Sequence, residues 1–176
     1  VASDSDGTNL IVAETFGGIF TSDDSGANWT ERSPGGSSAD RHWRSVASDA
    51  DGSNLIAGFY HSGGIAGTLY TSDDSGANWT ERQPAGAGVK KWLSVDSDSD
   101  GSNLIAGMFE SRLYTSSNSG VNWTERQPAG NINGTWVVAS DADGSNLIVA
   151  ARDARLYTSS NGGVNWTERQ PAGVSN

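Results

Sequence analysis

Three tryptophans, Trp43, Trp92 and Trp136, recur at matching points of this chain, each beside a polar residue: Arg44, Lys91 or Thr135. A flat aromatic face next to a hydrogen-bonding group can stack on the apolar surface of a sugar while the neighbour fixes a hydroxyl, which is glycan-binding chemistry. The default expectation for the same three rings is nonetheless packing between adjacent repeats, with the sugar platform as the alternative. Further candidates sit in stretches that differ from place to place. They are Tyr60, His61, Phe109, Arg112, Arg152 and Arg155, which with Arg44, Lys91 and the three tryptophans make the expected ligand-binding set. His42 and His61 are the only histidines and read as solvated loop residues rather than a metal pair. Asp96-Ser-Asp98-Ser-Asp100-Gly101 imitates the first half of a calcium loop, but the position that should supply a closing glutamate is Gly107, so a turn is expected and no metal. No cofactor is implied.

The elements that must position these residues come from a repeat. Ser22–Trp29, Ser72–Trp79, Ser116–Trp123 and Ser159–Trp166 each match or nearly match S-x-D-x-G-x-x-W, and their tryptophans are 50, 44 and 43 residues apart. A period of that size marks an array or propeller. In the second copy, 43–48, 54–57, 68–71 and 79–83 read as four short strands separated by Asp, Gly and Ser turns. Nothing of helical period appears. The expectation is an all-β propeller with four blades of four antiparallel strands, divided near 1–39, 40–88, 89–132 and 133–176.

The repeated element resembles the Asp-box, or BNR, repeat of sialidases, sortilin-type receptors and many bacterial propellers. Ser22, Asp24, Gly26 and Trp29 match it, as do Ser72, Asp74, Gly76 and Trp79. Ser116, Asn118, Gly120 and Trp123 carry Asn for the acid, as do Ser159, Asn161, Gly163 and Trp166. The resemblance implies a turn between the third and fourth strands in which the acid or amide caps backbone N–H groups, Gly takes positive φ and Trp packs between sheets. It also brings sialidase chemistry into view, which uses three arginines on a carboxylate and a tyrosine nucleophile with a glutamate partner. Here Tyr70, Tyr114 and Tyr157 occupy one scaffold position, leaving Tyr60, and no Arg-Ile-Pro-type motif precedes Ser22. The expectation is therefore a non-enzyme, with a glycosidase fragment as a remote alternative.

Loops joining strands 1–2 and 3–4 are nearly the same in every copy, whereas the 2–3 and inter-blade loops differ in length and chemistry. Binding on repeated scaffolds resides in unequal loops. Seven of the 11 basic residues (Arg41, Arg44, Lys90, Lys91, Arg112, Arg152 and Arg155) lie in or beside that variable set, while most acids lie in the repeated set. The chain reads as a binding or scaffold module, self-assembling or protein-interacting, with a lectin-like module as the alternative. An eight-bladed ring made by a homodimer would cover the end blades. A net charge of −10 argues against nucleic acid and anionic lipid, which are held through Lys and Arg. No apolar run is long enough to span a membrane. There is no cysteine, hence no disulfide or thiolate chemistry. Val1 at the start, with no signal peptide, reads as a processed or excised segment. The compartment stays open, with extracellular or periplasmic preferred.

Overall fold

A computed structural model describes residues 1–36, 42–60, 67–88, 90–110, 112–130, 134–151 and 155–170. Sixteen strands form four separate four-stranded antiparallel sheets, each in simple up-and-down order. Blade 1 contains β1 (Ala2–Ser3), β2 (Leu10–Ala13), β3 (Ile19–Ser22) and β4 (Thr30–Arg32). Blade 2 contains β5 (His42–Ser48), β6 (Leu55–Tyr60), β7 (Leu69–Ser72) and β8 (Thr80–Arg82). Blade 3 contains β9 (Trp92–Ser97), β10 (Leu104–Met108), β11 (Leu113–Ser116) and β12 (Thr124–Arg126). Blade 4 contains β13 (Trp136–Ser140), β14 (Leu147–Ala151), β15 (Leu156–Ser159) and β16 (Thr167–Arg169). The described residues contain no helix, as the pattern of short runs between Gly and Asp predicts. The second strand of blade 2 runs further than expected, to Tyr60, and so carries that ring to the rim of the sheet.

The sheets stack through three apolar layers built on one plan. Alternate side chains of a strand face opposite sides, so each blade has a forward face toward the next blade and a rear face toward the previous one. Ile11 and Ile19 of blade 1 meet Trp43, Val46, Leu55, Ala57, Phe59 and Tyr70 of blade 2. Ile56 and Leu69 meet Trp92, Val95, Leu104 and Tyr114 in the next layer. Ile105 and Leu113 then meet Trp136, Val138, Leu147, Val149 and Tyr157. The second strand makes room for the tryptophan. A Cβ on Gly58 would stand 3.2 Å from that of Trp92, and one on Gly107 would stand 2.8 Å from that of Trp136.

One irregularity separates blade 4 from its neighbours. The β5–β6 and β9–β10 ladders each shift register beside the tryptophan, a β-bulge that turns Arg44 and Leu93 out of the regular pairing. The β13–β14 ladder runs from Trp136↔Ala151 to Ser140↔Leu147 without a shift. The cause is visible in spacing: Trp-x-x-Val in the first two cases and Trp-x-Val in the third.

Hydrogen bonds confirm the two-face arrangement. Within each blade the turn before the fourth strand bonds to the turn before the second, through Ser25 N–H to Thr8 O, Ser75 N–H to Ser53 O, Ser119 N–H to Ser102 O and Gly162 N–H to Ser145 O. On the opposite rim, 2–3 connections meet inter-blade connections: Thr15 bridges to His42, Tyr60 to Lys91, and Phe109 N–H donates to Lys91 O at 2.8 Å.

Candidate functional site

The repeated turns share one pattern of hydrogen bonds. Ser22 Oγ accepts Gly26 N–H at 2.9 Å and donates to Asp24 Oδ1 at 2.8 Å, and Asp24 Oδ1 accepts Asn28 N–H at 2.8 Å. Trp29 Nε1 closes the turn on Gly26 O at 3.0 Å. The same bonds recur from Ser72, Ser116 and Ser159. Serine is thus the hub, a role that the residue pattern alone does not assign. Asn for Asp has a definite cost. Asp24 and Asp74 use their second oxygen to accept Asn28 Nδ2 and Asn78 Nδ2, at 2.6 and 2.7 Å. Asn118 and Asn161 keep the backbone bond from Asn122 and Asn165 but offer an N–H₂ where that second acceptor would be. The turn tryptophans do not bury fully between sheets: Trp29 is 43% exposed, and Trp79, Trp123 and Trp166 lie half-buried at the margins of the layers.

Six acids of the repeated rim are held in their charged form. Hydrogen bonds from Thr8, Ser53 and Ser102 keep Asp6, Asp51 and Asp100 below the ordinary carboxylate range. The Asn28 and Asn78 backbone N–H groups do the same for Asp24 and Asp74, and the Asn146 side chain for Asp141. Each of these acids is spent on a turn. Asp98 and Asp100 take Asn103 N–H and Ser102 N–H, while Asp96 Oδ2 accepts Ser140 N–H of the next blade at 2.7 Å. Within the calcium-like run Asp96 thus turns to the next blade while Asp98 and Asp100 serve one turn, and no cluster of three metal-ligating side chains occurs among the described residues.

Several expected ligand residues belong to the scaffold. Trp43, Trp92 and Trp136 are 2, 1 and 2% exposed and pack edge-on against Tyr70, Tyr114 and Tyr157. They bury because a propeller's inner strand faces a neighbouring sheet, so they offer no stacking platform to a sugar. Arg112 and Arg155 pair with Glu125 and Glu168, at 3.6 and 3.3 Å, the glutamates of the repeated fourth strand in their own blades. His42 is not simply solvated, since its ring meets that of Phe16 edge-on at 4.0 Å and that of Tyr60 at 6.2 Å. His61 and Arg152 lie outside the described residues.

What the variable rim does assemble is a strip of rings and cations. The Lys91 ammonium lies 5.4 Å from the centre of the Tyr60 ring and 5.2 Å from that of Phe109, and the Arg44 guanidinium is 5.5 Å from Tyr60. These distances fit cation–π contact. With Trp92 and Leu93 the four residues line an open cleft of about 240 Å³ between blades 2 and 3. The Tyr60–Lys91 bridge brings the two strands together there, and the bulges release Arg44 and Leu93 toward the cleft side. Neither Arg44 nor Lys91 forms an ion pair with a described acid. Phe16 extends the strip into blade 1 by way of His42. It is 68% exposed at φ 66°, a backbone region that a bulky side chain seldom takes. Phe16, His42 and Leu93 were not among the expected residues. The recoverable signal was an aromatic at the end of the second strand or shortly beyond it in each of the first three blades: Phe16, Tyr60 and Phe109.

No family model and no curated protein matches the chain. Among solved structures it is similar to a GH74 enzyme from Niastella koreensis (TM-score 0.73, 19% identity), covering 96% of this chain and 29% of that one. It is similar to a GH74 xyloglucanase from Xanthomonas campestris (TM-score 0.63, 19% identity), covering 84% of this chain and 26% of that one. It also resembles YCF48 bound to D1 peptide (TM-score 0.63, 12% identity), covering 98% of this chain and 55% of that one. The chain therefore spans between about a quarter and about a half of the length of these structures, and the likeness at such identities is one of fold: the chain is an all-β propeller array.

Proposed function

We propose that the chain is a non-catalytic binding and scaffold propeller that takes a protein ligand on its variable rim and self-assembles as a homodimer. The observation that carries the ligand reading is the Arg44–Tyr60–Lys91–Phe109 cleft. It gathers two cations without described acid partners beside aromatic surface, in a chain of net charge −10. Cations beside rings suit a carboxylate next to an aromatic or aliphatic group, so the ligand is an acidic peptide segment that also carries apolar side chains. A propeller of similar fold, YCF48, is named as bound to a peptide, which supports peptide recognition as a use of this architecture. The repeated rim would serve as Asp-box-like scaffold. A lectin-like use loses its basis with burial of the three tryptophans. Glycoside hydrolysis needs two carboxyl groups facing one bond, and the described acids of the variable loops, Glu14 and Glu110, come from blades 1 and 3.

Calorimetric titration with a peptide alternating Glu and Phe, against one alternating Lys and Phe, tests the reading. The acidic peptide should bind and the basic one should not, and Lys91→Glu should weaken binding at least about tenfold through like-charge repulsion. Equal binding of both peptides, or none, overturns it.

A further inference from the structure

Every described blade junction is closed by the same three fastenings. The first is a relay of backbone hydrogen bonds along the repeated rim, in which Ser5 N–H donates to Ala50 O, Ala50 N–H to Ser99 O, and Ser99 N–H to Ala142 O, at 2.9, 3.0 and 2.9 Å. The second is an asparagine key. Asn9, Asn54 and Asn103 donate through Nδ2 to the carbonyl oxygens of Asp51, Asp100 and Asp143 in the following blade. Each key lies so close to Gly52, Gly101 or Gly144 that a Cβ on that glycine would overlap the asparagine. The third is a threonine methyl against the turn glycine of the next blade. A Cβ on Gly76, Gly120 or Gly163 would stand 3.2, 3.0 or 3.2 Å from the Cγ2 of Thr21, Thr71 or Thr115.

At the two ends of the array the same parts have no counterpart among the described residues, and they complement each other. Blade 4 has the donor side: its relay residue is Ala142, its key Asn146 and its methyl Thr158. Blade 1 has the acceptor side: Ser5 O, Asp6 O, and the glycines Gly7 and Gly26. A Cβ on Gly7 would meet nothing within 4 Å among the described residues, and one on Gly26 would meet only Leu10 and Trp29 of its own blade. The apolar layers agree. Ile148 is 45% exposed where Ile11, Ile56 and Ile105 are at most 1%, and Val137 beside it is 56% exposed. Leu10, Val12 and Phe20 on the rear of blade 1 are half-buried where Leu55, Ala57 and Tyr70 are buried. Asn146, Leu147, Thr158 and Arg169 line an open groove on blade 4 that reproduces one wall of the grooves between the other blades.

We infer that the forward face of blade 4 docks on the rear face of blade 1 of a second copy of this chain. Asn146 then seats over Gly7, Ala142 N–H donates to Ser5 O, and Ile148 is covered by Leu10, Val12 and Phe20. The occupant is a second copy because each copy carries both halves of the fastening. Two copies arranged about a two-fold axis satisfy both junctions at once and close a ring of eight blades, whereas a head-to-tail contact that does not close would grow into fibres. This inference rests on the self-assembly reading above and gives it a surface; it is independent of the cleft.

Light scattering of the purified chain and two variants decides it. Gly7→Asn fills the socket at φ +78°, a conformation that Asn tolerates, with open space around it in the single chain. Ile148→Asp places a carboxylate on the bare face. The unaltered chain should have twice the 18.3 kDa chain mass, and each variant should fall to 18.3 kDa with an unchanged far-ultraviolet spectrum. If Ile148→Asp loses that spectrum, Gly7→Asn alone decides. A variant that folds and keeps the doubled mass moves the interface elsewhere and overturns this inference while leaving self-assembly standing. An unaltered chain at 18.3 kDa, or one heavier than a pair, overturns the ring and leaves the peptide cleft untouched.

Discussion

At the scale of single residues, Asp96 departs from the pattern of the other acids. It stands on an inner strand where blade 4 carries Ala139, and blade 2 Ala47, and burial pushes its carboxyl above the ordinary carboxylate range, partly offset by the Ser140 and Ser97 N–H groups. A raised folded-state value means that the native chain holds the proton more tightly than the unfolded chain. Stability on this account falls as pH rises from the ordinary value near 3.8 through the raised one, and the penalty is complete above it. Asp96→Asn keeps an oxygen to accept Ser140 N–H and removes the charge. The urea midpoint of Asp96→Asn should therefore exceed that of the unaltered chain at pH 7, with the gap closing below about pH 4. A lower midpoint at pH 7 would show that the charge-assisted bond to Ser140 outweighs desolvation. Asp6, Asp24, Asp51, Asp74, Asp100 and Asp141 behave in the opposite sense, contributing stability that is lost as they are protonated. Such distinctions were hidden in the sequence, because Asp96 looked like one more member of an acidic turn and only the neighbouring blade gives it a different environment.

At the scale of elements, what could be read and what could not divide along a physical line. Strand positions, turn glycines and the two-rim arrangement follow from local chemistry repeated four times, and the four sheets match that reading. The bulges at Arg44 and Leu93 were present as a one-residue difference in Trp-to-Val spacing, although nothing local says which side an extra residue will face. For the inner tryptophans, packing between blades is the default expectation and a sugar platform the alternative, and a ring beside Arg or Lys has the same sequence whether a sheet or a sugar covers it. The Gly58 and Gly107 clearances show that a sheet does. Trp92→Ala should accordingly act as a core deletion, costing roughly 3–5 kcal/mol in denaturant unfolding. A cost under about 1 kcal/mol would mean that the ring is not part of the apolar layer.

At the scale of the whole molecule, the equal parts of the repeat make fastenings and the unequal parts make the cleft. The acidic rim is consumed in capping turns and joining blades, which leaves the ring-and-cation strip as the assembled feature of the variable rim with chemistry to spare. The repeated rim also defines a direction: in the relay and the asparagine key the donors point from each blade to the next, so that rim has one donor end and one acceptor end whatever the length of the array. On the inference drawn above, that polarity makes the two ends of the array fit each other. Sedimentation equilibrium of the unaltered chain over a wide concentration range tests it most directly. The expected result is a single species of twice 18.3 kDa that dissociates only on dilution, and a mass of 18.3 kDa at every concentration would contradict it.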